Sequence, residues 1–291
     1  MLRGAATLVS VMEGSPGEIL AESIGMLVGS PLGLLFASLW GALWGSFFNV
    51  CIHRVGLYQS VVRPASRCPR CGRGVRPIEN IPIVSWIFLR GRCAGCHLPI
   101  SIRYPLVELL ATVLAAGLWL HLRTDTSVDA VHLVARFFVD FALVGTLLVL
   151  AGIDLDHMLI PDRVTYPAIP IFFLAATLLR DTPLWELALG PIVGYGLVAI
   201  TAELGYLIAK REVMGYGDAK LLALVGAALG WKAPVFAFFS APFVGLLVLV
   251  PIAIMRKQRL RGVEVPYGPF LAIASVAYLF LSETLAGLWP R

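Results

Sequence analysis

Four cysteines stand in two C-x-x-C pairs, Cys68-Pro-Arg-Cys71 and Cys93-Ala-Gly-Cys96, separated by 21 residues. That spacing suits a tetrahedral zinc site made of two tight knuckles, with Gly72 and Gly95 easing the turns. Four thiolates would fill the coordination sphere, so the metal they predict is structural. Two disulfides are the competing use of the same thiols. Cys51, the fifth cysteine, reads as a packing residue.

Carboxylates are the second group able to do chemistry. Six lie in or beside long apolar segments: Glu108, Asp140, Asp154, Asp156, Glu203 and Asp218. A charge in such a segment is costly and marks function by default. Two strings stand out, Gly152-Ile-Asp154-Leu-Asp156-His-Met-Leu-Ile-Pro161-Asp162 and Gly215-Tyr-Gly217-Asp218-Ala-Lys220. Two close carboxylates cannot both ionise cheaply, so they share a proton. The ionised member can take a proton from water as that water attacks a scissile carbonyl. The protonated member can then donate to the carbonyl oxygen. This is the chemistry of an aspartyl protease. The glycines flanking Tyr216 would let the backbone approach a substrate with no Cβ in the way. Pro161 suits the end of a loop and the start of a helix. Other uses stay open. An Asp pair can carry a proton or cation in a transporter. Asp162 reads well as a solvated loop acid, and Asp140 and Glu203 can pair with Arg136 or a backbone group as plain structure.

Membrane helices must position these groups. Of 291 residues, 58% are hydrophobic and 14% charged, against about 25% charged in a soluble domain. A soluble enzyme and a disordered chain are thereby excluded. The apolar residues come in long runs rather than ten-residue alternating segments, so helices are predicted over a β-barrel. Eight segments are read, at roughly 26–50, 104–122, 134–153, 164–180, 187–209, 219–232, 234–255 and 268–286. The sixth is short for a span and suits a tilted, buried or half-crossing helix. The fold class is therefore an all-α polytopic membrane protein of about eight transmembrane helices, with a zinc-binding loop between the first two.

Charge placement predicts orientation. Eight spans put the loops 51–103, 154–163, 210–220 and 256–267 on one side, and that side carries 17 of the 23 Lys and Arg. It is predicted to be the cytoplasm, so a cysteine loop holding nine arginines sits where thiols stay reduced, which disfavours disulfides. With the basic residues confined to loops between spans, nucleic-acid binding gains no support. Arg3 followed by Glu13, Glu18 and Glu22 is the wrong order for a cleavable signal peptide. Three parts follow: an N-terminal extension at 1–25, the first helix with the four-cysteine loop at 26–103, and a bundle carrying the acids at 104–291.

Taken together, these motifs resemble the prepilin peptidase family, the leader peptidases and N-methyltransferases of type IV pilus and type II secretion systems. The likeness runs from about Gly41 to Pro269. It includes Gly45-Ser-Phe-Phe-Asn49-Val, Glu79-Asn-Ile-Pro-Ile-Val-Ser-Trp86, Arg90-Gly-Arg-Cys93, Pro99-Ile-Ser-Ile-Arg103-Tyr-Pro-Leu-Val-Glu108, both cysteine pairs and both Asp strings. The resemblance implies that Asp154 and Asp218 are the catalytic pair, Asp154 because the family's first acid lies seven residues before the proline. Asp156, Pro161, Asp162, Gly215 and Gly217 would then support the catalytic loops. It implies type IV prepilins or pseudopilins as substrates, membrane lipid as surroundings, and cleavage at the cytoplasmic face of the bacterial inner membrane. It also implies methylation of the new N-terminus from S-adenosylmethionine, because family members that only cleave lack the cysteine loop. There is no G-x-G-x-x-G unit for that cofactor. Asn49, Glu79 and Glu108 are the candidates beside it, since a carboxylate near the amine would assist transfer. Three rival readings remain: a peptidase without methylation, a proton-coupled transporter using Asp140, Asp154 and Glu203 around a structural zinc loop, and a non-enzymatic assembly factor.

Overall fold

The structure is a computed structural model and describes residues 16–125, 129–210, 214–256 and 265–285. Seven of the eight predicted segments each form a helix; the first, 26–50, instead crosses a break at Ser30, just before Pro31, and its helix runs on to Gly56. They are preceded by α1 at Pro16–Gly29. The main helices are α2 (Pro31–Gly56), α4 (Arg103–Leu122), α5 (Ala130–His157), α6 (Asp162–Leu179), α7 (Leu184–Ala209), α8 (Tyr216–Leu229), α9 (Lys232–Arg256) and α10 (Gly268–Leu285). A 3-10 turn at Pro77–Asn80 and the short α3 at Val84–Phe88 punctuate the cysteine loop. No strand occurs among the described residues, only two isolated β-bridges. Part of the 1–25 extension, Arg211 and the basic run 257–261 lie outside the described residues.

Among the described residues six helices, α2, α4, α5, α6, α7 and α9, are long and apolar enough to cross a membrane. The chain is a multi-pass membrane protein. α8 falls short, because its 14 residues reach about 21 Å at 1.5 Å each, against a hydrocarbon core of about 30 Å. Burial explains how so short a helix is stable. From Asp218 to Leu229 every residue except Lys220 is buried, and α8 packs against α6, α7, α9 and α10. Prolines inside α6, α7 and α9 are tolerable in a membrane bundle, where neighbouring groups satisfy the backbone they free.

The chain divides into two compact units, one of residues 1–49 and 65–142, the other of 50–64 and 143–291. In the first, α2 lies close along α4. A Cβ on Gly41 would stand 2.5 Å from the Ala111 carbonyl oxygen, and one on Gly45 would stand 2.7 Å from Glu108 Cα. Phe36, Trp40, Trp119, Phe137 and Phe138 form one aromatic cluster there, with Trp119 and Phe137 fully buried. Asp140, 1% exposed, faces Arg136 at 3.8 Å one turn away, and Arg136 also approaches Asp125 at 3.8 Å. Asp140 thus has the structural partner that the sequence left open.

In the second unit α7 and α8 meet backbone to backbone. A Cβ on Gly226 would lie 2.1 Å from the Gly190 carbonyl oxygen, and one on Gly194 would lie 2.2 Å from that of Leu222. Small residues let membrane helices approach this closely. Gly226→Ala should therefore cost about 3 kcal/mol, the upper end for overpacking, because backbone rather than a flexible side chain must move. Thermal unfolding in detergent reads this out. An unchanged midpoint would show that the helices are not so close.

Candidate active site and metal centre

Asp154 lies in the last turn of α5. Beyond it Met158 adopts a left-handed conformation, φ 49°, and returns its N–H to the Asp154 carbonyl at 2.8 Å. The chain then turns through Pro161, extended at φ −73°, into α6. Asp154 is 6% exposed, whereas Asp156 is exposed. Residues two apart on a helix point about 200° away from each other, so burial singles out the first acid.

Asp218 lies in the first turn of α8, 8% exposed. Gly215, extended at φ −83°, caps that helix and accepts the Asp218 N–H at 3.1 Å. The two Asp strings meet directly. A Cβ on Gly217 would come within 3.1 Å of Ile160 Cβ, and the Lys220 ammonium reaches Asp162 Oδ1 at 2.5 Å while lying 5.2 Å from the Tyr166 ring centre. Asp162 is 57% exposed, so it closes the loops from outside. The exposed Tyr216 donates its hydroxyl to Glu203 at 2.5 Å, which gives the α7 acid a partner as well. Arg163 donates to the Val55 carbonyl and stacks on Tyr58 at 4.5 Å.

A third segment enters this site that reading the sequence for titratable side chains missed. The Gly268 N–H donates to Asp154 Oδ2 at 2.9 Å. The one available signal was the turn-like string Pro266-Tyr-Gly-Pro269. A backbone N–H has no residue type to betray it.

In the first unit the four cysteine sulfurs gather within 4.8 Å of one another. The two knuckles are copies. Cys68 N–H bonds the Arg73 carbonyl and Gly72 N–H the Cys68 carbonyl; Cys93 N–H bonds the Leu98 carbonyl and His97 N–H the Cys93 carbonyl, all at 2.9–3.0 Å. A β-bridge closes each, Arg67 to Gly74 and Arg92 to Pro99. Gly72 takes the left-handed φ of 71° that the first turn needs. In the second knuckle His97, φ 56°, holds that position rather than Gly95. Gly95 instead donates its N–H to Cys93 Sγ at 3.4 Å. The Cys68 and Cys96 sulfurs stand 3.8 Å apart, far beyond a disulfide bond. At a Zn–S length of about 2.3 Å, a tetrahedron has edges of about 3.8 Å, so the cluster fits such an ion. The N–H groups of Cys71 and Arg70 hold the Cys68 thiol down at about 6, and those of Cys96 and Gly95 lower Cys93. Cys51, half-buried in α2, takes no part.

Two family models match the chain. The bacterial peptidase A24 N-terminal domain covers residues 39–122, and the type IV leader peptidase family covers 141–250. A prepilin leader peptidase/N-methyltransferase from Dichelobacter nodosus is 37% identical over 300 residues, covering 92% of this chain and 99% of the relative. Namesakes from Aeromonas hydrophila and Myxococcus xanthus are 34% and 40% identical over 82% and 76% of this chain, and over 88% and 64% of their own lengths. The chain belongs to the prepilin peptidase family. No solved structure matches it.

The A24 N-terminal match holds the cysteine cluster and the three residues singled out for methyl transfer; the leader-peptidase match holds both aspartates. Segment 265–268 lies beyond either. Asn49 on α2 and Glu108 on α4 are both buried, each 8% exposed. Asn49 Nδ2 donates to the Tyr104 carbonyl at 3.0 Å and the Gly45 carbonyl at 3.3 Å. Glu108 Oε2 accepts the N–H of Ile83 at 2.7 Å, a β-branched residue held at φ 63°. Such strain persists only where the surroundings impose it. Glu79 lies in the cysteine loop, accepting from Arg73 at 2.7 Å and from the Arg76 N–H at 3.1 Å. The Arg73 hydrogen bond, ahead of the Arg76 N–H, holds its carboxyl below the usual range.

Proposed function

We propose that this member of the prepilin peptidase family cleaves the leader from type IV prepilins or pseudopilins and then N-methylates the new N-terminus. The observation that carries the peptidase reading is the burial of Asp154 and Asp218 in one unit, at helix ends whose loops touch. The pair holds one proton between them. The ionised carboxylate takes a proton from a water as its oxygen bonds to the scissile carbonyl carbon. The protonated carboxyl gives its proton to the carbonyl oxygen; the adduct collapses as the first carboxyl passes the proton it took from water to the leaving amine and the adduct's hydroxyl proton returns to the second. Asp156, Pro161, Asp162, Gly215 and Gly217 shape the two loops around that pair.

For the second activity, S-adenosylmethionine supplies the methyl group. The chain's own part is to hold the new amine unprotonated and in line with it; Glu108 and Asn49, with Glu79 in the loop, are the residues proposed beside that reaction. Cys68, Cys71, Cys93 and Cys96 would hold a structural Zn²⁺ that keeps a polar loop folded. Functionally the chain divides as 1–25, 26–103 for methylation and 104–291 for cleavage. It is placed in the inner membrane with about eight spans, lipid around it, and the Asp and Cys loops in the cytoplasm, following the Lys and Arg distribution.

Intact-mass measurement tests both activities at once. Purified protein, a prepilin and S-adenosylmethionine should yield a product lacking its leader and carrying one added methyl. Cleavage without the methyl leaves a peptidase only. An untouched substrate, in a sample that an active relative does cut, returns the transporter and assembly-factor readings.

A further inference from the structure

We infer that Gly268 is a positioning residue for Asp154, and that the turn it opens is the third wall of the catalytic site; the catalytic part of this inference rests on the peptidase reading above. The two residues are 114 positions apart, yet the Gly268 N–H meets Asp154 Oδ2 at 2.9 Å in a buried setting. No other hydrogen-bond partner of that carboxylate occurs among the described residues. One oxygen is thus tethered, and the other is left for the water and the second acid.

The accounting of the α10 first turn shows why Gly268 fills this role. The first N–H groups of a helix have no partner inside it. Pro269 has no N–H. Those of Phe270 and Leu271 return to the Tyr267 carbonyl at 3.1 and 3.2 Å. Gly268 alone in that turn turns its donor on the site. The side chain matters as much as the donor. A Cβ at 268 would lie 2.7 Å from Asp154 Oδ2 and 3.2 Å from Cγ, closer than non-bonded atoms pack. Any other residue must push the carboxylate away. The turn is tied to α9, because the Tyr267 hydroxyl reaches the Phe238 carbonyl at 3.5 Å. The segment therefore holds Asp154 from a fixed base.

Gly268→Ala tests this, with Gly196→Ala as control, since a Cβ at 196 meets nothing within 4 Å. Displacing a reacting group by about 1 Å costs about 100-fold. kcat for leader cleavage should fall by about that factor with KM within about twofold, and Gly196→Ala should leave both unchanged. A destabilised fold is separated by a thermal cycle. Gly268→Ala should lower the unfolding midpoint in the parent, and by less than half as much in an Asp154→Ala background, where the clashing carboxylate is gone. Retained kcat overturns the inference. So does an equal thermal penalty in both backgrounds. If the parent cleaves no prepilin, the peptidase reading and the catalytic role fall together, while the cycle still decides whether 268 and 154 touch.

Discussion

Replacing either Asp154 or Asp218 by Asn is expected to lower kcat/KM for leader cleavage by about 10,000-fold, the upper range for losing a positioned general acid or base. Asn keeps the volume and an oxygen, so the Gly268 N–H retains an acceptor. What it loses is the ability to take or give the shared proton. Neither variant should unfold the protein, because each removes a buried charge rather than creating one. Asp156→Asn is the graded comparison, since Asp156 supports the loop from outside the buried pair. Asp156 is exposed on the far side of the same helix turn, and its loss should change the rate by no more than a few-fold. Initial rates with one prepilin, measured for all three variants, decide it. Substantial cleavage by Asp154→Asn, or its disappearance in Asp156→Asn, would move the chemistry to another acid.

The second large effect concerns the sulfur cluster. Structural zinc contributes about 10–16 kcal/mol to small polar modules, far more than the four-cysteine loop can obtain from its own core. Cys68→Ser or Cys93→Ser, like a strong chelator, should therefore remove one metal equivalent and open residues 65–100 to protease. Methyl transfer to a pre-cut substrate should fall to background. Leader cleavage should survive at near the parent rate, because the two aspartates belong to the other compact unit. Metal analysis alongside both assays reads this out. Protein with no bound zinc after native purification would refute the metal assignment, and joint loss of both activities would refute the division of labour.

Local pattern in the sequence determined a great deal. Hydropathy periods place seven of the eight helices to within about four residues, because burial in lipid demands long apolar runs whatever their partners; the first segment read runs across the break at Ser30 and stops six residues short of Gly56. The cysteine spacing determines a four-sulfur cluster, since each C-x-x-C is a turn that closes on itself. The two Asp strings are legible for a similar reason, as charges that a membrane would otherwise exclude. Tertiary structure decided the rest. It separates Asp154 from Asp156 by burial and makes α8 an enclosed helix where length alone had left its placement open. It also gives the left-handed place in the second knuckle to His97. It alone brings Gly268 to Asp154, since a backbone donor meeting a carboxylate across 114 residues leaves no period, spacing or charge in the chain. Contacts made within one helix or turn are written in neighbouring residues. Contacts between helices depend on how whole faces pack, and only the folded bundle supplies that.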